Sequence, residues 1–151
     1  EMRDNQYGVD TNDIENSIFL VIEKIYNENE NIDLSNVKYA VFYDNHFKGI
    51  YLTIGDEKYI IDYRTLSQDI DYVKFIKFSE YGFSKEDIDM YSREYKMDIS
   101  NAEFATIINP VSRMTFISNN GKLYNYQGEE IIIEKYNNYI TNISDSKSHS
   151  K

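Results

Sequence analysis

Apolar residues in this chain repeat first with the period of a helix and then, abruptly, with the period of a strand. Ile14, Ile18, Val21, Ile22 and Ile25 stand at i, i+4, i+7, i+8 and i+11, one continuous helical stripe. Asn12 is placed to cap this helix, and Glu15, three residues on, is the reciprocal half of a capping box. Phe19, Leu20 and Tyr26 widen the apolar face, which predicts burial on more than one side. The run Asn27-Glu28-Asn29-Glu30-Asn31, polar and poor in helix propensity, ends the element.

From Val37 the period becomes two. Val37, Tyr39, Val41 and Tyr43 alternate with Lys38, Ala40, Phe42 and Asp44. Ile50, Leu52 and Ile54 lead into Gly55-Asp56-Glu57-Lys58, and Tyr59, Ile61 and Tyr63 follow, a hairpin with a Gly-containing loop. A further strand is expected over Tyr72 to Phe78. A second helix, near 84–97, is punctuated by Ser84 as cap and Asp87 at the capping-box position. Phe83 is placed to staple onto Ile88, and Ile88, Tyr91 and Tyr95 form one face. Its many charges predict a surface position.

The last third predicts a meander. Arg113 to Ser118 and Lys122 to Gln127 flank Asn120-Gly121, the pair that best accepts positive φ at both centres of a tight turn. Ile131-Ile132-Ile133 and Tyr139 to Ile143 are further strands, with a turn at Asn137-Asn138. The fold class is therefore α+β: an N-terminal helix packed on antiparallel sheet, a surface helix and a C-terminal β-meander. Three stretches divide the chain: a flexible segment over 1–11, a single α+β domain over 12–143 and a polar tail over 144–151. The chain opens on Glu1, which predicts that a segment preceded it.

Charge and composition narrow the chemistry. Asp and Glu number 26 against 16 Lys and Arg, a net charge of -10 that disfavours phosphate-backbone and anionic-membrane binding. With no Cys there is no disulfide framework, thiolate nucleophile or Cys-ligated zinc. No stretch of 18 apolar residues is present to span a membrane. Of the two histidines, His149 lies in the tail. His46, in Asp44-Asn45-His46-Phe47, has the setting of a solvated turn residue, and no nucleophile elbow accompanies it for a triad.

Calcium candidates are Asn27 to Asp33, the pair Asp69 and Asp71, and the pair Asp87 and Asp89. None has the glycine and terminal bidentate Glu of an EF-hand loop, and a solvated acidic face accounts for them. Paired carboxylates of a glycosidase would need a cleft for which so short a chain has limited room. The 15 Tyr are assigned to core and sheet-face packing in preference to a ligand platform. Gly55, Gly121 and Gly128 are isolated turn glycines, and the sequon Asn142-Ile143-Ser144 matters only on a eukaryotic secretory route. No catalytic residue, metal ligand or cofactor is assigned, and the expectation is a non-enzymatic protein.

The order of elements resembles the soluble part of type IV pilins and type II pseudopilins, above all small minor pseudopilins of the GspH/FimT and Gram-positive competence kind. One carrier is the helix from Asn12 to Asn27 followed by Val37 to Tyr43 and Phe47 to Ile54. The other is Met114-Thr115-Phe116-Ile117-Ser118-Asn119-Asn120-Gly121, then Ile131 to Ile133 and Tyr139 to Ser144. The apolar helix that marks the family, beginning with Phe and carrying Glu at its fifth position, would lie before Glu1. The resemblance implies a structural subunit that assembles by protein–protein contacts with other pilin-like subunits, without cofactor or nucleic acid. It would be extracellular or at the cell surface, tethered to the membrane only through that missing segment. The charge supports a different reading, a small acidic immunity or anti-defence inhibitor that binds a basic protein target, in the cytoplasm.

Overall fold

A computed structural model of the chain describes residues 11–80, 84–109 and 112–138. Helix α1 spans Thr11–Glu28. Its stripe is enclosed as the periodicity requires, with Ile18, Val21 and Ile22 fully buried against Val37, Tyr39, Ile50, Leu52 and Ile61. Asn12 is the second residue of the helix as described, and its side chain lies outside the described residues. Glu15 serves tertiary structure: its Oε2 accepts a 2.7 Å hydrogen bond from the Tyr39 hydroxyl. The wider apolar face is only partly used. Phe19 packs at the margin of the core, whereas Leu20 is 48% exposed.

The sheet beneath α1 is built from β1 (Val37–Asp44), β2 (Phe47–Ile54), β3 (Glu57–Asp62) and β4 (Phe75–Lys77), all antiparallel. Two-residue turns close both hairpins, at Asn45-His46 and Gly55-Asp56, and Asn45 (φ 55°) and Gly55 (φ 60°) supply the left-handed backbone these turns need. Along β2, Ile50, Leu52 and Ile54 point to α1 while Phe47 and Tyr51 point the other way into a second core. In β1 the buried face switches. Val37 and Tyr39 lie under α1, then small Ala40 and bulky Phe42 are buried on the opposite side, leaving Val41 and Tyr43 exposed.

Tyr63 does not continue β3. Asp62 Oδ1 accepts from the Arg64 backbone N–H (3.1 Å) and starts a 3₁₀ turn over Tyr63–Thr65. The Tyr63 ring then lies 3.7 Å from Lys48 Nζ, a cation–π contact. The strand expected over Tyr72 to Phe78 shrinks to β4, because Asp69 caps a second 3₁₀ turn at Ile70–Tyr72.

A second antiparallel sheet carries β5 (Glu103–Asn109), β6 (Ser112–Asn119), β7 (Lys122–Asn125) and β8 (Glu130–Ile131) in that order. The β6–β7 turn is Asn120-Gly121, with φ of 53° and 80° as such a turn demands. Phe42, Phe47 and Ile60 of the first sheet meet Ala105, Ile107, Phe116 and Leu123 of the second, so the sheets lie face to face. Phe42 and Phe116 pack edge to face at 5.5 Å. At one border the sheets are stitched by the Ser79–Phe104 bridge, with N–H···O bonds of 3.0 and 2.8 Å, and by the Lys58–Glu103 ion pair at 2.9 Å.

Helix α2 (Lys85–Tyr95) covers the outer side of the second sheet, where Ile88, Tyr91 and Tyr95 rest beside Phe104, Ile117 and Tyr124. The layers therefore run helix, sheet, sheet, helix. The meander departs from expectation at its end. β7 stops at Asn125, Ile132 is exposed, and Asn137-Asn138 is no turn but strand β9, paired with Lys38 and Tyr39 of β1. The staple residue Phe83, the strand expected over Tyr139 to Ile143, the tail over 144–151 and residues 1–10 of the N-terminal segment lie outside the described residues.

Candidate functional site

Helix α2 is short, and the sheet it covers is longer than it is. The Ser84 Oγ accepts from the Asp87 N–H at 3.2 Å to start the helix. Lys96 in the left-handed conformation (φ 58°) stops it, its backbone N–H donating to the Ser92 carbonyl. Beyond the cover of α2 the outer face of β5 and β6 opens into a cleft of about 470 Å³.

Three tyrosines frame it. Tyr91 and Tyr95, one helical turn apart, hold their rings nearly parallel (18°) with centroids 6.2 Å apart. Tyr126, from the turn after β7, stands at 69° to Tyr95, also at 6.2 Å, and closes an aromatic corner. Burial, and then the neighbouring Tyr126 phenol, with which it shares a hydrogen bond, push the Tyr95 hydroxyl up to about 12. Gly128 permits the close approach of this turn to α2. It sits at φ 85°, and a Cβ there would lie 3.1 Å from Tyr95 Cδ1.

On the floor, the Thr106 and Thr115 hydroxyls share a 2.8 Å hydrogen bond across β5 and β6. Arg113 lines the cleft and forms no ion pair among the described residues. Asp44 and Asn45 of the β1–β2 turn, with Gln127, complete the polar lining.

One buried residue ties these pieces together. Asn125 Oδ1 accepts from the backbone N–H groups of Gln127 (3.0 Å) and Glu129 (2.9 Å), folding the turn that carries Tyr126. Its Nδ2 donates to Glu129 Oε1 at 2.9 Å and to Asp44 Oδ1 at 3.1 Å, which links that turn to the β1–β2 turn on the facing sheet. Asn125 is thus a positioning residue for two sides of the cleft.

The residues singled out from sequence fall elsewhere. His46 is exposed in the β1–β2 turn, next to Asn45 but outside the cleft lining, and His149 lies outside the described residues. Among the calcium candidates, Asn29 Oδ1 accepts from Asn31 N–H and Asp69 Oδ1 from Ile70 N–H. Asp33 accepts from Ser35 N–H at 2.9 Å, and its bonds to Ser35 hold its carboxyl below the usual carboxylate range. Asp87 and Asp89 are exposed on α2. Among the described residues, no three acidic or histidine side chains gather where they could hold a metal ion, and no helix is long and apolar enough to cross a membrane. Comparisons with protein-family models, curated proteins and solved structures give no match for the chain.

Proposed function

We propose that the chain is a non-enzymatic recognition domain that holds its ligand by non-covalent contacts in the tyrosine cleft. The observation that carries this reading is the aromatic corner of Tyr91, Tyr95 and Tyr126 above the Thr106–Thr115 hydroxyl pair, with the Tyr126 turn held by Asn125. Apolar walls with a few fixed polar groups are the usual make-up of a small-ligand site. The test is residue-resolved NMR of the chain with a mixture of glucose, adenosine and N-acetyl amino-acid amides. Signals of Tyr95, Arg113, Thr115 and Tyr126 are expected to shift together, with every solute recovered unaltered. Shifts confined to another face, or conversion of any solute, would overturn the reading.

A second proposal keeps the assembly subunit implied by the resemblance to pilins, with copies or related subunits as its protein partners. It draws support from a helix laid along an antiparallel sheet, and from Leu20, exposed on the side of α1 turned away from that sheet. Since the Ile14–Ile25 stripe is spent on the first sheet, contacts between subunits through α1 would have to use the Leu20 side. Sedimentation of the wild type and Leu20→Asp over a concentration series tests it. Association that Leu20→Asp abolishes without loss of fold is expected. Association that survives the substitution removes α1 from the account.

A further inference from the structure

The cleft favours a ligand that is apolar on its flat faces and polar around its edge. Tyr126, 54% exposed and set at 69° to Tyr95, brings an aromatic wall to the cleft, so a ring-shaped ligand can pack in the corner the two make. The polar groups around them are of mixed kind. Asp44 accepts, Arg113 donates, and Gln127 and the Thr106–Thr115 pair do both. A partner for that mixture must itself donate and accept at many points of its rim, as hydroxyl groups do.

We infer that the tyrosine cleft binds a neutral carbohydrate, its pyranose C–H face against the Tyr95–Tyr126 corner and its hydroxyls on the Asp44, Gln127 and threonine side chains. This rests on the recognition reading above and names its ligand class. A phosphate-bearing planar ring has similar flat faces, and Arg113 would attract it. The same ring would enter beside the Asp44 carboxyl on a chain of net charge -10, a field that repels anions. A neutral polyol meets no such repulsion and engages both Asp44 and Arg113. The volume of about 470 Å³ lies within the range of small-ligand sites.

The experiment is calorimetric titration of the full chain with neutral trisaccharides built from glucose, galactose, mannose and N-acetylglucosamine, and with adenosine monophosphate. Tyr126→Ala is measured alongside. Tyr126 is 54% exposed, so its truncation is expected to lower the unfolding midpoint only slightly, through the lost contact with Tyr95, and to leave the fold intact. At least one trisaccharide should bind more tightly than the nucleotide. Tyr126→Ala should weaken it about tenfold, the size of one lost aromatic contact. A nucleotide that binds more tightly than every sugar, or a sugar that binds Tyr126→Ala as well as wild type, would overturn the inference. If adenosine or an amino-acid amide shifts the cleft signals while no sugar binds, the recognition reading stands and the carbohydrate falls. If no solute reaches the cleft, both fall.

Discussion

Gly49 lies against the Phe42 and Phe47 rings on the face of the first sheet turned toward the second, and Gly49→Ala measures how tightly those rings are packed. A Cβ at this position would stand 2.5 Å from Phe47 Cε2 and 2.7 Å from Phe42 Cζ. Carbon atoms in contact prefer about 3.5–4.0 Å, so the rings would have to retreat by roughly 1 Å. They have little room to do so. Phe42 and Phe47 are both buried, and each already packs on Phe116, at 5.5 and 5.3 Å between centroids. Overpacking of this kind costs about 1–3 kcal/mol. Against it, replacing glycine within a strand recovers about 0.5–1 kcal/mol of backbone entropy. The balance is a loss of about 1–2 kcal/mol, or roughly 5 °C in Tm for a domain of this size. Urea unfolding followed by circular dichroism should show a lower midpoint with an unchanged slope. Shortening the clashing ring, in Gly49→Ala/Phe47→Leu, should cost less than the two single changes added together. A Gly49→Ala variant as stable as wild type, or more so, would refute the face-to-face packing at this point.

Other consequences can be checked separately. Ile22→Asp places a carboxylate under α1 where no solvent reaches, and cooperative unfolding should vanish; a folded variant would mean that another molecule, and not the first sheet, covers the stripe. Asn125→Ala removes the acceptor of two backbone N–H groups and the link to Asp44, for a loss of about 2 kcal/mol in urea unfolding. Its NMR shifts should reach both Asn45 and Tyr126, and a change limited to its own turn would count against the link between the sheets. Burial raises the hydroxyls of Tyr51, Tyr59 and Tyr95, with Tyr95 at about 12. Between about pH 10 and 12 the unfolded chain releases the Tyr95 proton and the folded chain keeps it, so stability falls as pH rises through that window, and the other raised tyrosines add to the fall. Phenolate absorbance should therefore rise in two phases, the later one coinciding with unfolding. A single phase near the ordinary tyrosine value, in a chain that stays folded, would contradict the burial of these rings.

The parts of the fold that were legible in the sequence are those fixed by short-range physics. The Ile14–Ile25 stripe, the Ser84 cap and the Asn120-Gly121 turn each depend on a few neighbouring residues, and each has its place in the structure. Strand β5 was not legible because Phe104-Ala105-Thr106-Ile107-Ile108 lacks clear polar alternation. Phe104 packs beneath α2 while Ala105 and Ile107 face the first sheet, and burial on both sides removes the alternating signal. Asn137-Asn138 has the composition of a turn, but its pairing with β1, about a hundred residues away in the chain, decides its conformation.

The cleft was the least legible part, since Asp44, Tyr95, Arg113 and Tyr126 converge only once both sheets and α2 are in place. Tyrosine assigned to packing is right for Tyr39, Tyr51 and Tyr59, while Tyr91, Tyr95 and Tyr126 also line the cleft. One local signal did point there. Asn125, two residues before Gln127 and three before Gly128, has the spacing of a side chain that folds its own turn.

A recognition cleft must hold its ligand without altering it. Native mass spectrometry of the chain, equilibrated with the tightest-binding solute of the titrations, tests this most directly. The prediction is one adduct at the summed mass of chain and solute, released intact on activation and depleted in Tyr126→Ala. Appearance of product masses, or an adduct equally abundant in wild type and Tyr126→Ala, would contradict the claim.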